Sequence, residues 1–319
     1  MRFAPDPEHR AFAASLHAML TASDTPSVVR DWSGGDHTAG RALWGRLAEA
    51  GVFALAVPEE HGGLGVRPVE LAVAFVELGR HAAPGPLVET VTAAALLTEP
   101  GCATRLLPAL ASGASMATVA YGGRWALDGD VAAVRLTLTR HALRLAPGHG
   151  PPRPSLDPAR RLTPLTPGGE LLSTAPPLGQ ALVLARVATA AQALGVGLAL
   201  LDRTVEHVRR RAQFGVRIGS FQAVKHRLAD VVIALEFARP LVFGAALTLR
   251  PADAAAAKVS ACEAAYRAAR AALQLHGALG YTAEYDLSLW LTKARALRTA
   301  WGDPDTCRAT VLDSQGPGD

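Results

Sequence analysis

Apolar residues recur at helical spacing through the first third of the chain. The stretches that show it are "RALWGRLAEAGVFAL", "PVELAVAFVELGRHA" and "VETVTAAALL", and each places an apolar stripe between polar residues. The Pro- and Gly-rich turn "VPEEHGGLGVRP" separates the first two stretches. The pattern predicts an N-terminal helical domain over residues 1–111.

The pattern changes in the middle of the chain. Val134, Leu136 and Leu138 alternate with polar residues, which is the two-residue period of a β-strand. Residues 146–170 are rich in Pro, Gly and Arg and are predicted to form a loop. Because so little strand pattern is present, we predict a truncated β domain with its Pro/Gly-rich loop over residues 112–178.

Helical spacing returns in the last part of the chain. We predict helices over 179–210, 220–249 and 287–300, and a further helix that opens at Pro251, a residue suited to the first helical turn. Pro240 should bend the second of these helices. Short connections favour an antiparallel four-helix bundle over residues 179–319. The expected fold class is therefore mainly α with a small β domain.

Composition narrows the class of protein. The chain has 319 residues, of which 50% are apolar, so it can bury a sizeable core without disulfides. Its three cysteines lack the spacing of a zinc site or a disulfide framework, which predicts no metal site and suits a reducing cytoplasm. A net charge of +4 does not indicate a nucleic-acid partner.

The N-terminus and the longest apolar run both argue against a membrane protein. The first residues, "MRFAPDPEHRAFAASLHAML", carry Pro and acidic residues where a signal peptide would be basic and then apolar. The run Val187–Leu201 has 15 residues and is interrupted by Gly, whereas a membrane-spanning helix needs about 20. We expect a soluble, cytoplasmic protein with no membrane partner.

Three motifs resemble those of acyl-CoA dehydrogenases. The stretches "RRAQFGVRIGSFQAVKHRLADVVIALEFAR" and "QLHGALGYTAEYDLSLWLTKARAL" resemble the C-terminal domain of that family, and "LAEAGVFALAVPEEHGGLG" resembles its N-terminal domain. The likeness covers nearly the whole chain except the middle. It implies FAD as cofactor, an acyl-CoA substrate that undergoes α,β-desaturation, and electron-transfer flavoprotein or a similar electron acceptor.

The resemblance also implies a set of cofactor contacts. Arg211 matches the arginine that reaches the FAD pyrophosphate, commonly that of a neighbouring subunit, and a guanidinium can bind phosphate oxygens in bidentate fashion. Favourable interaction with the helix dipole would equally explain a run of Arg at a helix end, and we assign Arg209 and Arg210 to that role. The other matched cofactor positions are Gln213, Phe214, Gln222, Gln274, Gly277, Ala278 and Gly280.

The chain departs from the family at the catalytic base. The family's usual base is a Glu in a Tyr-Glu-Gly-Thr-like turn, and here "AWGD" places Trp301 at the Glu position. In some members the base lies one residue before the arginine matched by Arg186, and that residue is Ala185 here. The resemblance assigns Arg186 to the side of the substrate. Asp303 lies two residues past Trp301 and is a candidate base, although a surface turn residue is the alternative interpretation.

The middle domain lacks the family's Thr-Glu-Pro-x-x-Gly-Ser and Trp-Ile-Thr segments, which cover the flavin ring. A short chain without base or flavin cover resembles one subunit of the α2β2 acyl-CoA dehydrogenases of actinobacterial steroid catabolism, whose partner chain supplies both and whose acyl group is bulky. Two alternatives remain open. One is a self-sufficient homo-oligomer that uses Asp303, and the other is a flavin-free acyl-CoA-binding or scaffold homologue.

Overall fold

The N-terminal part of the protein is helical. The computed structural model describes residues 6–314. Asp6 begins the first helix, since its side chain accepts a hydrogen bond from the backbone N–H of His9 at 2.8 Å and Pro7 occupies the first turn. The helices of this part are α1 (Pro7–Ala22), α2 (Thr25–Gly34), α3 (Thr38–Glu49), α4 (Pro68–Arg80), α5 (Leu87–Leu96) and α6 (Pro100–Ala111).

A small sheet follows the helical part. Its strand order is β1-β3-β4-β6, in which β1 and β3 are parallel and the other pairs are antiparallel, and β2 pairs with β5 beside it. Val134, Leu136 and Leu138 are buried on one face of β3, as their alternation predicts. The strands are β1 (Ala117–Tyr121), β2 (Trp125–Leu127), β3 (Val134–Leu138), β4 (Leu143–Leu145), β5 (Leu162–Pro164) and β6 (Glu170–Ser173).

The predicted loop over 146–170 is wrong at its C-terminal end. Leu162–Pro164 forms β5 because it pairs with β2, a strand more than 30 residues earlier in the chain, with Leu162 opposite Leu127. Pro164 is tolerated since it is the last residue of a short strand. A long-range pairing of this kind leaves no local signal in a Pro-rich segment.

The C-terminal part is a helical bundle around α7. Its elements are α7 (Leu178–Arg210), the hairpin strands β7 (Ala212–Gln213) and β8 (Val216–Arg217), α8 (Gln222–Thr248), α9 (Pro251–His276), α10 (Leu287–Leu297) and α11 (Pro304–Asp313). The mainly α fold class with a small β region is confirmed. The helix α8 continues through Pro240.

The helix α7 joins the two helical parts of the molecule. It packs against α9 on one side and against α4 and α5 on the other. A Cβ on Gly195 would stand 1.9 Å from the carbonyl oxygen of Val76 on α4, so glycine is required for the two backbones to approach. Between residues 181 and 200 almost every side chain is buried.

The helices α7 and α8 are each long and apolar enough to cross a membrane by length and composition alone. Almost all of α7 is buried within the molecule, and it is therefore the core helix of the fold. Less than half of the corresponding window in α8 is buried. One face of α8 contacts the bundle and the opposite face leaves apolar side chains in solvent.

Candidate functional site

The turn after α10 occupies the position at which the base is expected. Trp301 and Gly302 both have positive φ angles, of 57° and 124°. Arg186 of α7 donates from Nε to the carbonyl oxygen of Trp301 at 3.4 Å. Lys258 of α9 is fully buried and donates from Nζ to the carbonyl oxygens of Arg298, at 2.7 Å, and of Gly302. Two buried cations thus fix the shape of this turn.

The indole of Trp301 contacts a buried carboxylate. Its Nε1 donates to Oε1 of Glu89 on α5 at 3.3 Å, and Nη2 of Arg160 lies 3.8 Å from the same oxygen. The other carboxylate oxygen of Glu89 is buried and has no hydrogen-bond partner among residues 6–314. Neither Glu89 nor Lys258 was predicted from the sequence as a site residue. A signal was present for Glu89, since it interrupts the apolar stretch "PLVETVTAAALL".

Asp303 lies in the same turn but its carboxylate serves the next helix. The side chain accepts hydrogen bonds from the backbone N–H groups of Asp305 and Thr306 at 3.0 and 2.9 Å, which makes it the N-cap of α11. These bonds, chiefly that of Thr306, hold the pKa of Asp303 below its usual value. The helix α11 was not predicted, although the Asp-Pro-x-Thr sequence is a helix-start signal.

Arg211 stands at the opposite end of α7, where the helix ends. It leads into the hairpin of β7 and β8, whose tip is formed by Phe214 and Gly215 with φ angles of 55° and 76°. The side chains of Arg211, Gln213 and Gln222 are exposed, and that of Phe214 is 92% exposed. The Arg211 guanidinium forms no hydrogen bond or ion pair among the described residues, whereas Arg210 forms an ion pair with Glu206.

The glycine-containing segment after α9 lies at this same end of the bundle. His207 of α7 and His276 of α9 stack with ring centroids 4.0 Å apart, and burial lowers the pKa of both rings, which favours their neutral form. Gly277 ends α9 with a φ of 61°. The stack therefore brings Arg211 and the segment from Gln274 to Gly280 to one end of the molecule. Gln274, Gly277 and Ala278 are exposed, and Gly280 is buried.

The two groups of predicted site residues are far apart. Arg186 and Arg210 are 24 residues apart on one continuous helix, which at the helical rise corresponds to about 36 Å. The structure thus brings Arg186 together with Trp301 and Asp303, and the eight predicted cofactor residues with one another, but it does not join the two groups.

Comparison with known families identifies the class to which this fold belongs. Residues 6–114 match the model of the acyl-CoA dehydrogenase N-terminal domain, and residues 178–315 match the model of the acyl-CoA dehydrogenase C-terminal domain. The chain belongs to the acyl-CoA dehydrogenase family. The family that the motifs predicted is thereby confirmed, and with it the class of enzyme, an oxidoreductase.

Among individual proteins, the chain is 34% identical to the acyl-CoA dehydrogenase IpdE2 of Mycobacterium tuberculosis over 300 residues, which cover 90% of this chain and 91% of the relative. The ChsE4-ChsE5 complex from Mycobacterium tuberculosis has the same fold, with a TM-score of 0.88 at 24% identity and full coverage of both chains. A variant of the Tcur3481-Tcur3483 steroid acyl-CoA dehydrogenase gives a TM-score of 0.84 at 25% identity, over 97% of this chain and 98% of that one.

Proposed function

We propose that this chain is one subunit of an FAD-dependent acyl-CoA dehydrogenase that desaturates a bulky, steroid-derived acyl-CoA at the α,β position. A partner chain of the same fold supplies the catalytic base and the flavin cover. The observation that carries the proposal is the indole of Trp301 at the position of the base, while the unpaired Arg211 faces solvent at the C-terminal end of α7.

The donor groups around Arg211 fit an FAD dinucleotide. The guanidinium offers a bidentate set of N–H donors that no described residue uses, and the amides of Gln213, Gln222 and Gln274 are exposed around it. Nothing lies within 4 Å of the Cβ that Gly277 lacks, so its backbone is open to a ligand. A bound flavin would supply the acceptor for the β-hydrogen, which would leave the substrate as hydride. In our proposal these residues hold the dinucleotide of a cofactor whose reacting ring lies in the partner.

The turn at Trp301 supports a base from outside this chain. A proton acceptor must reach the α-carbon of the substrate, and the carboxylate of Asp303 is instead occupied by two backbone N–H groups. The indole of Trp301 fills the position and is held by Glu89. We propose that the turn after α10 shapes the site and that Arg186 and Lys258 fix its conformation through hydrogen bonds to its carbonyl oxygens.

The exposed face of α8 supports a protein partner. Val232, Ile233, Phe237, Leu241 and Leu247 are all exposed, and the side chain of Phe237 is 73% exposed. An apolar face of this length on a helix whose other side belongs to a packed bundle is typical of a protein interface. Two solved neighbours, named above, are pairs of proteins, and the second is described as a steroid enzyme. We propose an α2β2 heterotetramer on these grounds. We further propose that electron-transfer flavoprotein or a similar carrier accepts its electrons.

The test is the visible flavin spectrum of the chain purified alone and after co-expression with a full-length acyl-CoA dehydrogenase chain. We expect FAD only in the co-purified complex, and turnover of a steroid-derived acyl-CoA by that complex. Bound FAD and turnover in the isolated chain would instead identify a self-sufficient enzyme. A complex that contains no FAD in any preparation would favour the flavin-free homologue, and either result would overturn the proposal.

A further inference from the structure

Three side chains with metal-ligating atoms converge where α1 crosses α4. Nδ1 of His17 lies 3.2 Å from Oε2 of Glu77 and 3.0 Å from Nε2 of His81. All three ligand atoms lie within 4.8 Å of one another. Glu77 lies in the last turn of α4 and His81 is the residue that caps this helix, four positions later, so both side chains lie on the side that faces α1. None of these residues belongs to either group of predicted site residues.

Hydrogen bonding does not satisfy all of these atoms at once. If Nδ1 of His17 carries a proton, that single proton faces two acceptors, Oε2 of Glu77 and Nε2 of His81. If Nε2 of His81 carries the proton and donates to Nδ1, the lone pair at Nδ1 is used and Oε2 of Glu77 has no proton at that contact. A cation between the three atoms removes the conflict, because each of them then acts as an electron-pair donor.

Two of the three distances between ligand atoms are close to those of a tetrahedral zinc site, and the third, between Oε2 of Glu77 and Nε2 of His81, is at most 4.8 Å and has to shorten when a metal binds. With Zn–N and Zn–O bonds of about 2.05 Å, the edge between two ligand atoms of a tetrahedron is about 3.3 Å. The two observed edges at Nδ1 of His17, 3.0 and 3.2 Å, need only a few tenths of an ångström of expansion. The side chain of His17 is 51% exposed, so the cluster can be reached from solvent and a fourth position is open to water.

A cation can bind at the cluster only if the positive groups nearby are paired with other residues. Arg80 is the nearest positive group, with Nε 3.9 Å from Oε2 of Glu77, but its Nη2 donates to Asp202 at 2.7 Å. Arg203 stacks its guanidinium on the ring of Trp290 at 3.8 Å. Asp202 thus pairs with Arg80, and the acidic neighbours of Arg203 are Asp286 and Glu206.

We propose that His17, Glu77 and His81 form a binding site for a divalent transition-metal ion of the zinc class, which ties α1 to α4. Two imidazoles and one carboxylate suit Zn²⁺, Co²⁺ or Ni²⁺, and they do not suit Mg²⁺ or Ca²⁺, which prefer all-oxygen ligands. The cysteine spacing gave no sign of this site, and the sequence analysis predicted no metal. The proposal is independent of the proposed function.

The test is Zn²⁺ binding to the full-length chain after treatment with a chelator. We expect one Zn²⁺ per chain by calorimetry, a Zn²⁺-dependent rise in melting temperature, and a Co²⁺ absorption spectrum typical of low coordination number. His17→Ala and His81→Ala should each weaken binding by at least about tenfold, the effect known even for residues that only orient a ligand. His17 is half exposed, so His17→Ala should fold.

His141→Ala is the matched control, since His141 is exposed and lies in the turn between β3 and β4, outside the cluster. It should bind Zn²⁺ as the unaltered chain does. The absence of saturable binding, or equal binding by the His17, His81 and His141 variants, would overturn the proposal. Equal binding would place the ion elsewhere.

Discussion

Replacement of Arg211 by Ala should weaken FAD binding by the assembled complex without loss of stability. The side chain is exposed and forms no hydrogen bond or ion pair with residues 6–314, so its removal breaks no such bond there. Exposed positions of this kind change the free energy of unfolding by less than about 0.5 kcal/mol. Any effect on FAD therefore reports contact with the cofactor.

The expected magnitude follows from the geometry of a guanidinium on a phosphate. A hydrogen bond to a charged group contributes about 1.5–3 kcal/mol, and a bidentate pair provides two of them. Taking about 3 kcal/mol for the pair, to allow for the partial hydration of an exposed site, the dissociation constant of FAD should rise about 150-fold. The dissociation constant of FAD for Arg211→Lys should lie between that of the unaltered complex and that of Arg211→Ala. The ammonium group of Lys keeps the charge attraction to phosphate but cannot form the second hydrogen bond of a bidentate pair.

The assay is titration of FAD into the flavin-depleted complex, followed by flavin fluorescence. Arg210→Ala is the matched control, since it removes the same charge one residue away and breaks only the ion pair with Glu206. Its dissociation constant for FAD should lie within about threefold of that of the unaltered complex, as expected for a charge at the edge of a binding site that does not contact the ligand. Equal affinities for the Arg211 and Arg210 variants would refute the assignment of Arg211.

Three further predictions concern the turn after α10 and the small sheet. Trp301→Phe keeps an aromatic ring but removes the indole N–H that donates to Glu89, so the free energy of unfolding measured by urea denaturation should fall by about 2 kcal/mol. An unchanged free energy of unfolding would contradict this hydrogen bond. Asp303→Asn retains an N-cap, so turnover by the complex should stay within a few-fold, and a loss of about 10³-fold would make Asp303 the base. Burial raises the pKa of Asp128 to about 7 from its ordinary 3.8, as Arg161 is shared with Asp130. Because the folded state then holds the proton more tightly than the unfolded state, stability should fall as pH rises from about 4 to about 7. Asp128→Asn should flatten the pH–stability curve between about pH 4 and pH 7. An unchanged slope would contradict the raised pKa of Asp128.

The helical parts of the fold were predictable because their signal is local. An apolar stripe along α4 or α7 can be seen in any window of a dozen residues, and Asp6-Pro7 is a start signal in itself. The strand β5 and the helix α11 were missed. The first depends on a partner in another segment, and the second is short and largely exposed, without an apolar stripe. The domain boundaries at residues 111 and 178 stay predictions.

Site residues could be predicted from the sequence only where they lie within a recognisable family motif. The position of Trp301 follows from the order of motifs, but its partner Glu89 lies 212 residues away and no local pattern joins them. The same holds for His17 and Glu77, which are 60 residues apart. Chemistry that depends on two distant segments becomes visible only when the fold has placed them in contact. The cofactor assignments from Arg211 to Gly280 stay predictions, although the structure gathers them at one end of the bundle.

Under the proposed function, the length of α7 gives a physical reason why one chain could lose its base and keep its cofactor contacts. The helix is rigid, since it is buried along most of its length and packs on both sides. Arg186 lies in the N-terminal third of this helix, and Arg211 follows its last residue, Arg210. Arg186 and Arg210 are about 36 Å apart along the helix, so they share no side-chain contact through which a change at one would alter the other. Trp301 can therefore replace a carboxylate without disturbing the hairpin of β7 and β8. If the dinucleotide held at Arg211 belongs to a flavin of the partner, the loss at Trp301 has no effect on that second site. In the proposed heteromer, this chain would depend on its partner for the chemistry, and the partner would depend on this chain for binding of the cofactor.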